Sequence, residues 1–269
     1  MRILVRILLF SAIANIALAQ QPSLVSSEST TKIRIHRVTI NASNLPAGDR
    51  DRIVHHFAQN AYFEGELQSR IQTAFQNLGY FKAHVDEPKI FLLEQSQATN
   101  DADISVTVEE GPQYRLGEIH FQKADLFPTD QLRRIFPIQS GDLFNKTTFS
   151  KGLDNLRHLY ATEGYINCVA IPVVKMDESH RTIDLVIEMN EGEPYDFGLL
   201  FLDGKEPHAG AGQALMESWK TLQGKRFNPD LLMTWLVKSA SLWPGAAAAH
   251  WDVIQLPPSG AVDIRLLLP

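Results

Sequence analysis

Two copies of one eight-residue motif constrain the fold of this chain more than any other feature. Each copy has the form Glu-Gly-x-x-Tyr-x-x-Gly, and the second lies 81 residues after the first. The motif residues are Glu110, Gly111, Tyr114 and Gly117, then Glu191, Gly192, Tyr195 and Gly198. A period of this length is too long for a solenoid of short helical or strand units and fits a small domain. We therefore expect successive small domains, with function in a surface that several of them share.

A helix that ends in Gly-Tyr is predicted upstream of each motif copy. Apolar residues recur at steps of three or four from Leu67 to Leu78 and from Phe149 to Tyr160, which is the spacing of one helix face. The pairs Gly79-Tyr80 and Gly164-Tyr165 follow these two stretches. Because glycine lacks a Cβ, we expect it to take the left-handed conformation that ends a helix.

The predicted elements repeat in the order β-α-α-β-β. In the second copy the strands are Tyr114 to Gln122, Tyr165 to Ile171 and Thr182 to Met189, and the helices are Thr129 to Phe136 and Lys146 to Glu163. The first copy has strands over Ile33 to Ile40, Phe81 to Val85 and Ile104 to Glu109, helices over Asp49 to Asn60 and Glu64 to Leu78, and a polar insert over Glu94 to Ala102.

A third, degenerate copy starts at Tyr195. Asn228 as N-cap and Pro229 at the first helical position are favourable residues for beginning its helix. The segment Gly210-Ala211-Gly212 lacks the third glycine of a dinucleotide-binding loop, and we expect it to be a flexible loop. Two strands, Trp251 to Leu256 and Val262 to Leu268, close this copy.

The tandem motifs, the helices that end in Gly-Tyr and the element order resemble POTRA (polypeptide-transport-associated) domains. The resemblance covers roughly residues 32 to 269 and implies an α+β fold of β-α-α-β-β domains, each a three-stranded mixed sheet with two helices on one face. We divide the chain into unit 1 (residues 32–113), unit 2 (residues 114–192) and the degenerate unit 3 (residues 193–269). POTRA domains occur on the periplasmic side of outer-membrane β-barrel assembly factors and related secretion proteins.

The first 31 residues have the composition of a secretory signal peptide and a leader. Arg2 and Arg6 precede an apolar run, Ile7 to Leu18, and Ala17-Leu18-Ala19 fits the cleavage rule of small residues. An uncleaved anchor is the alternative, but the run is shorter than the ~20 apolar residues that span a bilayer. We expect cleavage after Ala19, a flexible leader over residues 20–31, and a periplasmic monomer that contacts membrane only through a partner.

Composition and motifs argue against nucleic acid and against catalysis. Lys and Arg number 25 against 31 Asp and Glu, and phosphate binding needs a basic face. The sequence lacks the nucleophile elbow, the zinc-protease and Cys-x-x-Cys motifs and the phosphate loop. The lone Cys168 lies in an apolar stretch, where a buried thiol is expected. We therefore predict no enzyme activity, no cofactor and no metal site.

Proline indicates which strand lies at the edge of each sheet. Pro88, Pro172 and Pro257-Pro258 lie in or just after the second strand of each copy, and proline is tolerated at edges because it cannot donate to a ladder. An exposed edge can accept an extended peptide by β-augmentation. The longest candidate edge consists of Tyr165, Ile166, Asn167, Cys168, Val169, Ala170 and Ile171. The alternative, that proline only protects the edge from aggregation, is equally open for any one strand.

The resemblance implies a non-enzymatic binding module in outer-membrane protein assembly or secretion. Its expected partners are an outer-membrane β-barrel protein or unfolded outer-membrane and secreted clients. Because no barrel sequence follows the third unit, we expect a free-standing arm: an adaptor for a separate barrel, an independent holding factor, or a truncated relative. A periplasmic enzyme or ligand-binding protein with its site between units 2 and 3, and an envelope or division scaffold, remain as alternatives.

Overall fold

The structure, a computed structural model, describes residues 32–94, 99–256 and 260–268. The predicted signal peptide, the leader and Pro257-Pro258 lie outside the described residues. Within the described part of the chain, no helix is both long enough and apolar enough to cross a bilayer.

Unit 2 forms a three-stranded mixed sheet with two helices. Its elements are β6 (Arg115–Gln122), α3 (Thr129–Arg134), α4 (Lys146–Thr162), β7 (Val169–Asp177) and β8 (Thr182–Asn190). The strand order is β6-β8-β7; β6 runs parallel to β8, and β7 runs antiparallel to it. The predicted α+β class and the β-α-α-β-β order are therefore confirmed.

The ends of α4 follow from its sequence. Asn145 caps the first turn by accepting a hydrogen bond from the Thr148 amide at 2.8 Å. Gly164 ends the helix in the predicted left-handed conformation, with φ of +87°. Gly79 ends the corresponding helix of unit 1 in the same way, with φ of +88°.

Unit 3 repeats this architecture. Its elements are β9 (Asp196–Asp203), α5 (Ala211–Trp219), α6 (Pro229–Ser239), β10 (His250–Leu256) and β11 (Ala261–Leu267), with strand order β10-β11-β9. Asn228 caps α6 and Pro229 is its first residue, as predicted. The prediction of a flexible loop over Gly210-Ala211-Gly212 is wrong. Gly210 takes the left-handed conformation directly before α5, and the small residues Ala211 and Gly212 are buried in the first turn of that helix.

Unit 1 has the same mixed sheet with additions. Its elements are β1 (Lys32–Asn41), α1 (Ala47–Phe57), β2 (Ala61–Phe63), α2 (Leu67–Asn77), β3 (His84–Val85), β4 (Lys89–Glu94) and β5 (Thr99–Glu109). β1 is parallel to β5, β2 extends the sheet beyond β1, and β3 and β4 pair in succession with the other side of β5.

Two element predictions for unit 1 are wrong. The second strand is divided into β3 and β4 around Pro88, and only its first part falls within the predicted strand Phe81 to Val85. Both ends of the predicted insert Glu94 to Ala102 belong to strands, because β4 reaches Glu94 and β5 begins at Thr99, where its polar residues pair with β1. Arg34 and Asp101, for example, form an ion pair at 3.7 Å across this pairing.

Each unit has its own hydrophobic cluster. Phe75 and Ile104 lie in the cluster of unit 1, Phe149 and Leu185 in that of unit 2, and Trp219 and Ile264 in that of unit 3. The clusters lie between the helices and one face of each sheet. The opposite face of each sheet is therefore directed away from the core of its own unit.

Candidate strand-binding edges

The Gly-Tyr pairs and the tyrosines of the Glu-Gly-x-x-Tyr-x-x-Gly motifs form the joints between units. In the first joint, the Tyr114 amide donates to the Gly79 carbonyl at 2.8 Å, and the Phe144 amide donates to the Tyr114 carbonyl at 2.9 Å. In the second joint, the corresponding bonds run from Tyr195 to Gly164 at 3.0 Å and from Phe227 to Tyr195 at 2.9 Å. The Gly-Tyr turn of one unit is thus bonded to the first strand of the next by the same backbone pattern.

Side chains repeat at the joints as well. Asn145, the helix N-cap of unit 2, donates to the Asn77 carbonyl at 3.0 Å, and Asn228 donates to the Thr162 carbonyl at 2.9 Å. The residue after each Gly-Tyr packs against the core of the following unit: Phe81 packs on Phe144, with ring centroids 5.1 Å apart, and Ile166 packs on the cluster of unit 3. Each joint is therefore both hydrogen-bonded and partly apolar.

At the first joint, Lys82 of unit 1 also forms an ion pair with unit 2. Glu178 in the β7–β8 hairpin accepts hydrogen bonds from Lys82 of unit 1 and from the Tyr114 hydroxyl, the latter at 2.5 Å. The hydrogen bond from Lys82 is the main cause that lowers the pKa of Glu178. At the second joint, Asn167 donates to the Tyr195 hydroxyl at 3.3 Å instead.

The motif glutamates cap loops inside their units. Glu191 Oε1 accepts from the amides of Asp125 and Leu126, at 2.9 and 3.1 Å, and from the Tyr160 hydroxyl at 2.7 Å. Glu110 accepts from the Asn44 amide at 2.5 Å in unit 1. The glycines that follow, Gly111 and Gly192, take positive φ angles of +64° and +73°.

The last glycine of each motif permits a carboxylate to bind the first strand at a β-bulge. Asp184 accepts from the Glu118 amide at 2.8 Å, and Asp263 accepts from the Leu199 amide at 2.6 Å. A Cβ on Gly117 or on Gly198 would collide with these carboxylates. Sequence reasoning missed these aspartates.

Unit 1 has an aspartate at the same position. There His36 replaces the glycine and its Nδ1 lies 3.0 Å from Asp103 Oδ1. The signal was an Asp between apolar residues in the last strand of every unit: Ala102-Asp103-Ile104, Ile183-Asp184-Leu185 and Val262-Asp263-Ile264.

The structure places the seven predicted edge residues in two different environments. The strand begins at Val169, so the prediction that it starts at Tyr165 is wrong. Tyr165, Ile166, Asn167 and Cys168 form a turn and part of the second joint, because Ile166 packs into the cluster of unit 3 instead of continuing the strand. Burial raises the pKa of the Cys168 thiol to about 12. Only Val169, Ala170 and Ile171 lie on the edge strand itself.

The edge strand β7 carries an apolar row on the sheet face away from the helices. Val169 and Ile171 are 47% and 48% exposed, and Val173 continues the row. Pairing with β8 is continuous across Pro172, which lacks an N–H and must therefore direct its nitrogen away from β8. By alternation, Ala170 and Val174 also direct their backbone N–H and C=O groups away from β8. These outward groups form the open rim of the sheet, in which Pro172 supplies no N–H.

The edge predicted for unit 1 lies on β4, a strand that was not predicted from the sequence. Phe91, Leu92 and Leu93 are three consecutive exposed apolar residues on β4, the edge strand of unit 1, and Phe91 is 55% exposed. The strand contains no proline. In unit 3 the equivalent strand β10 differs, since its outer face carries His250 and Asp252, whose Nε2 and Oδ1 atoms lie 3.3 Å apart.

The opposite edge of each sheet is partly covered by the chain itself. The loop before α4 pairs with the start of β6, where the Leu116 amide donates to the Asp142 carbonyl at 2.8 Å. The loop before α6 pairs with β9 in the same way, and β2 covers β1 in unit 1. The second-strand edges therefore offer the longer open rims in units 1 and 2.

The joint between units 2 and 3 is closely packed. A Cβ on Gly164 would lie 2.6 Å from the Tyr195 carbonyl oxygen and 2.5 Å from Arg226 Cδ. A groove of about 470 Å³ lies elsewhere, between α1, α2 and the start of α4, and is lined by Arg52, His56 and Thr73 among others. Within the described residues, no group of three His, Cys, Asp or Glu side chains is placed to hold a metal ion.

Comparison with known proteins identifies the architecture. A family model named POTRA, described as a surface antigen variable number repeat, matches residues 114–192. The outer membrane protein assembly factor BamA of Buchnera aphidicola subsp. Acyrthosiphon pisum (strain APS) is 22% identical over 179 residues, which are 65% of this chain and 28% of that relative. The chain therefore spans little more than a quarter of that relative's length.

A solved structure extends the match over all three units. The crystal structure of POTRA domains 3–5 of Haemophilus influenzae BamA superposes with a TM-score of 0.64 and 13% identity, covering 91% of this chain and 99% of that one. Residues 114–192 are thus a POTRA domain, and the chain has the α+β fold of a POTRA array.

Proposed function

We propose that this POTRA array is a non-enzymatic periplasmic module that binds extended polypeptide during outer-membrane protein assembly or secretion. Its ligand is an unfolded outer-membrane or secreted client, or a strand of a β-barrel partner, and it binds by adding to a sheet edge. The similarity to a relative named an outer membrane protein assembly factor supports the process. The N-terminal signal-peptide pattern supports export, cleavage after Ala19 and a periplasmic location.

The single observation that carries the binding mode is the open apolar edge of β7. An edge strand leaves backbone donors and acceptors unpaired, and an extended guest satisfies them with little demand on its sequence. The exposed row of Val169, Ile171 and Val173 adds apolar contacts for alternate side chains of the guest. We therefore propose β7 as the main site, with β4 as a second site of the same kind.

A point substitution tests the site. The mature chain is titrated against a fluorescent synthetic peptide in which valine alternates with threonine, and binding is followed by anisotropy. Ile171→Glu places a charge in the apolar row, and we expect the peptide to bind about tenfold more weakly, equivalent to about 1.4 kcal/mol. The side chain is half exposed, so the fold should tolerate the change.

The matched control places the same charge on the other edge strand of the same sheet. His120 is exposed on the outer face of β6, and His120→Glu should leave peptide affinity unchanged. Equal weakening by both variants would show that the peptide responds to the charge of unit 2 and not to the β7 edge. No measurable binding by the unaltered chain would refute the proposal.

A further inference from the structure

Unit 3 reverses the pattern of apolar and polar strand edges. The first strand of each unit has a bulge beside Asp103, Asp184 or Asp263, so the residues that follow the bulge are equivalent in the three units. On the outer sheet face these are Arg37 and Thr39 in unit 1, Glu118 and His120 in unit 2, and Leu199 and Phe201 in unit 3. The first two pairs are polar, whereas Leu199 and Phe201 are apolar and are 52% and 46% exposed. On the second strand of unit 3, His250 and Asp252 occupy outer-face positions where the edge strand of unit 2 has apolar residues.

The backbone of β9 is open beside these two side chains. The Leu268 amide donates to the Asp203 carbonyl at 2.7 Å, so Asp203 faces the sheet interior. By alternation, Leu202 and Leu200 direct their N–H and C=O groups to the rim. Among the described residues, no loop or side chain bonds to these rim groups.

The corresponding rim is blocked in unit 1. There the Arg50 guanidinium donates to the carbonyls of Ile40, the equivalent of Leu202, and of Ala42. The buried pair Leu215 and Trp219 of α5 matches Ile53 and Phe57 of α1, which places Gly212 at the position of Arg50, and glycine has no side chain that could reach the strand. The open rim of β9 is therefore a property of unit 3 that is absent from unit 1.

The chain itself already pairs an extended segment with this edge of β9. The Phe197 amide donates to the Lys225 carbonyl at 2.8 Å, and the Gly224 amide donates to the Phe197 carbonyl at 2.7 Å. This short ladder stops at the bulge, and the open rim of Leu200 and Leu202 continues beyond it. A guest strand would extend an interface that the fold has started.

We propose that the β9 edge from Leu199 to Asp203 is a further docking site, which takes an extended polypeptide with apolar side chains at alternate positions. Only an extended backbone can satisfy rim donors and acceptors that recur at every second residue. Leu199 and Phe201 have the same two-residue spacing on the outer face, so they contact every second side chain of the guest. The site lies on the sheet edge opposite to the one used in units 1 and 2.

Amide hydrogen exchange of the full mature chain tests this site directly. The probe is the same synthetic peptide of alternating valine and threonine, and exchange is followed by NMR. We expect the peptide to slow the exchange of the Leu200 and Leu202 amides about tenfold at saturation. Protection of the Ala170 and Val174 amides reports separately on the β7 site, so either site can fail without the other.

Two double variants with matched changes separate strand docking from general adhesion of apolar surface. Leu199→Glu with Phe201→His gives β9 the residues of unit 2 and should abolish the protection of Leu200 and Leu202. The control variant, Met233→Ser with Val237→Asp, gives α6 the residues that α4 has at the same positions. Like the β9 variant, it removes two exposed apolar side chains and adds one negative charge, but it should leave the protection of Leu200 and Leu202 intact.

Each outcome of these measurements decides the proposal. Failure of the unaltered chain to protect Leu200 and Leu202 overturns it, as does equal loss of protection in both double variants. Tryptophan fluorescence checks that the variants are folded, since all four tryptophans lie in unit 3. A β9 variant that unfolds is replaced by Phe201→Ser alone, which must weaken the protection if the site is real.

Discussion

Replacing Gly164 by alanine should uncouple unit 3 from unit 2. The residue has φ of +87°, where an L side chain costs about 1–2 kcal/mol, and this strain falls on unit 2. The new Cβ would also lie 2.6 Å from the carbonyl oxygen and 3.2 Å from the amide nitrogen of Tyr195. The Arg226 side chain can move away, but the Tyr195 backbone can do so only by opening the joint.

The loss to unit 3 follows from the bonds that would open. The Tyr195 amide bonds to the Gly164 carbonyl at 3.0 Å, and the Tyr195 carbonyl accepts from Phe227 at 2.9 Å. Each hydrogen bond contributes about 1 kcal/mol net, so displacement of Tyr195 should lower the free energy of unfolding of unit 3 by about 2 kcal/mol. Urea unfolding followed by tryptophan fluorescence measures this unit alone, because Trp219, Trp235, Trp243 and Trp251 are the only tryptophans.

Gly141→Ala is the matched control for the backbone strain that a side chain causes at a positive φ angle. Gly141 has φ of +90°, and a Cβ there would meet nothing within 4 Å. The substitution should therefore cost unit 2 about 1–2 kcal/mol, measured by circular dichroism, and leave the fluorescence transition of unit 3 in place. The reasoning is refuted if Gly164→Ala and Gly141→Ala have the same effect on the unit 3 transition.

Three further substitutions or reactions test the interior of the units. The Cys168 thiol, whose pKa burial raises to about 12, should react with iodoacetamide at pH 8 only as fast as unit 2 unfolds, so the rate should rise with urea. Tyr160→Phe removes a 2.7 Å hydrogen bond to Glu191 and should lower the stability of unit 2 by about 1–2 kcal/mol in urea titrations. Gly198→Ala should displace the buried Asp263 and lower the tryptophan-monitored midpoint of unit 3, whereas Gly224→Ala, with open space around it, should change it less.

The sequence predicts those parts of the fold that are determined by local chemistry. Gly79 and Gly164 take the left-handed conformation, and Asn228 and Pro229 begin α6, because a cap or a missing Cβ acts within a few residues of its own position. The repeat spacing then predicts the element order, since similar residues at equal separations favour the same local structures.

The rest depends on contacts between distant residues. The start of β7 at Val169 follows from the packing of Ile166 into the next unit, which local strand propensity does not contain. The polar start of β5 becomes a strand because β1 lies beside it. The role of Asp184 requires the bulge in β6 to be known, so a residue that looks like an ordinary polar position in a strand becomes part of the backbone bonding.

In the proposed binding mode, the edges of units 1 and 2 act together on one polypeptide, because the first joint holds the two units next to each other. One edge strand contributes few hydrogen bonds, and a peptide of ordinary flexibility loses conformational entropy when it is ordered, so a single edge binds weakly. The edges β4 and β7 lie on corresponding sides of units that are joined by repeated backbone bonds, which limits how far they can move apart. In the proposed binding mode, a client long enough to reach both edges makes its second contact as an intramolecular step, and its affinity exceeds that of either contact by orders of magnitude. The β9 edge faces the other side of its sheet, so it would engage a different segment of the client or a different chain.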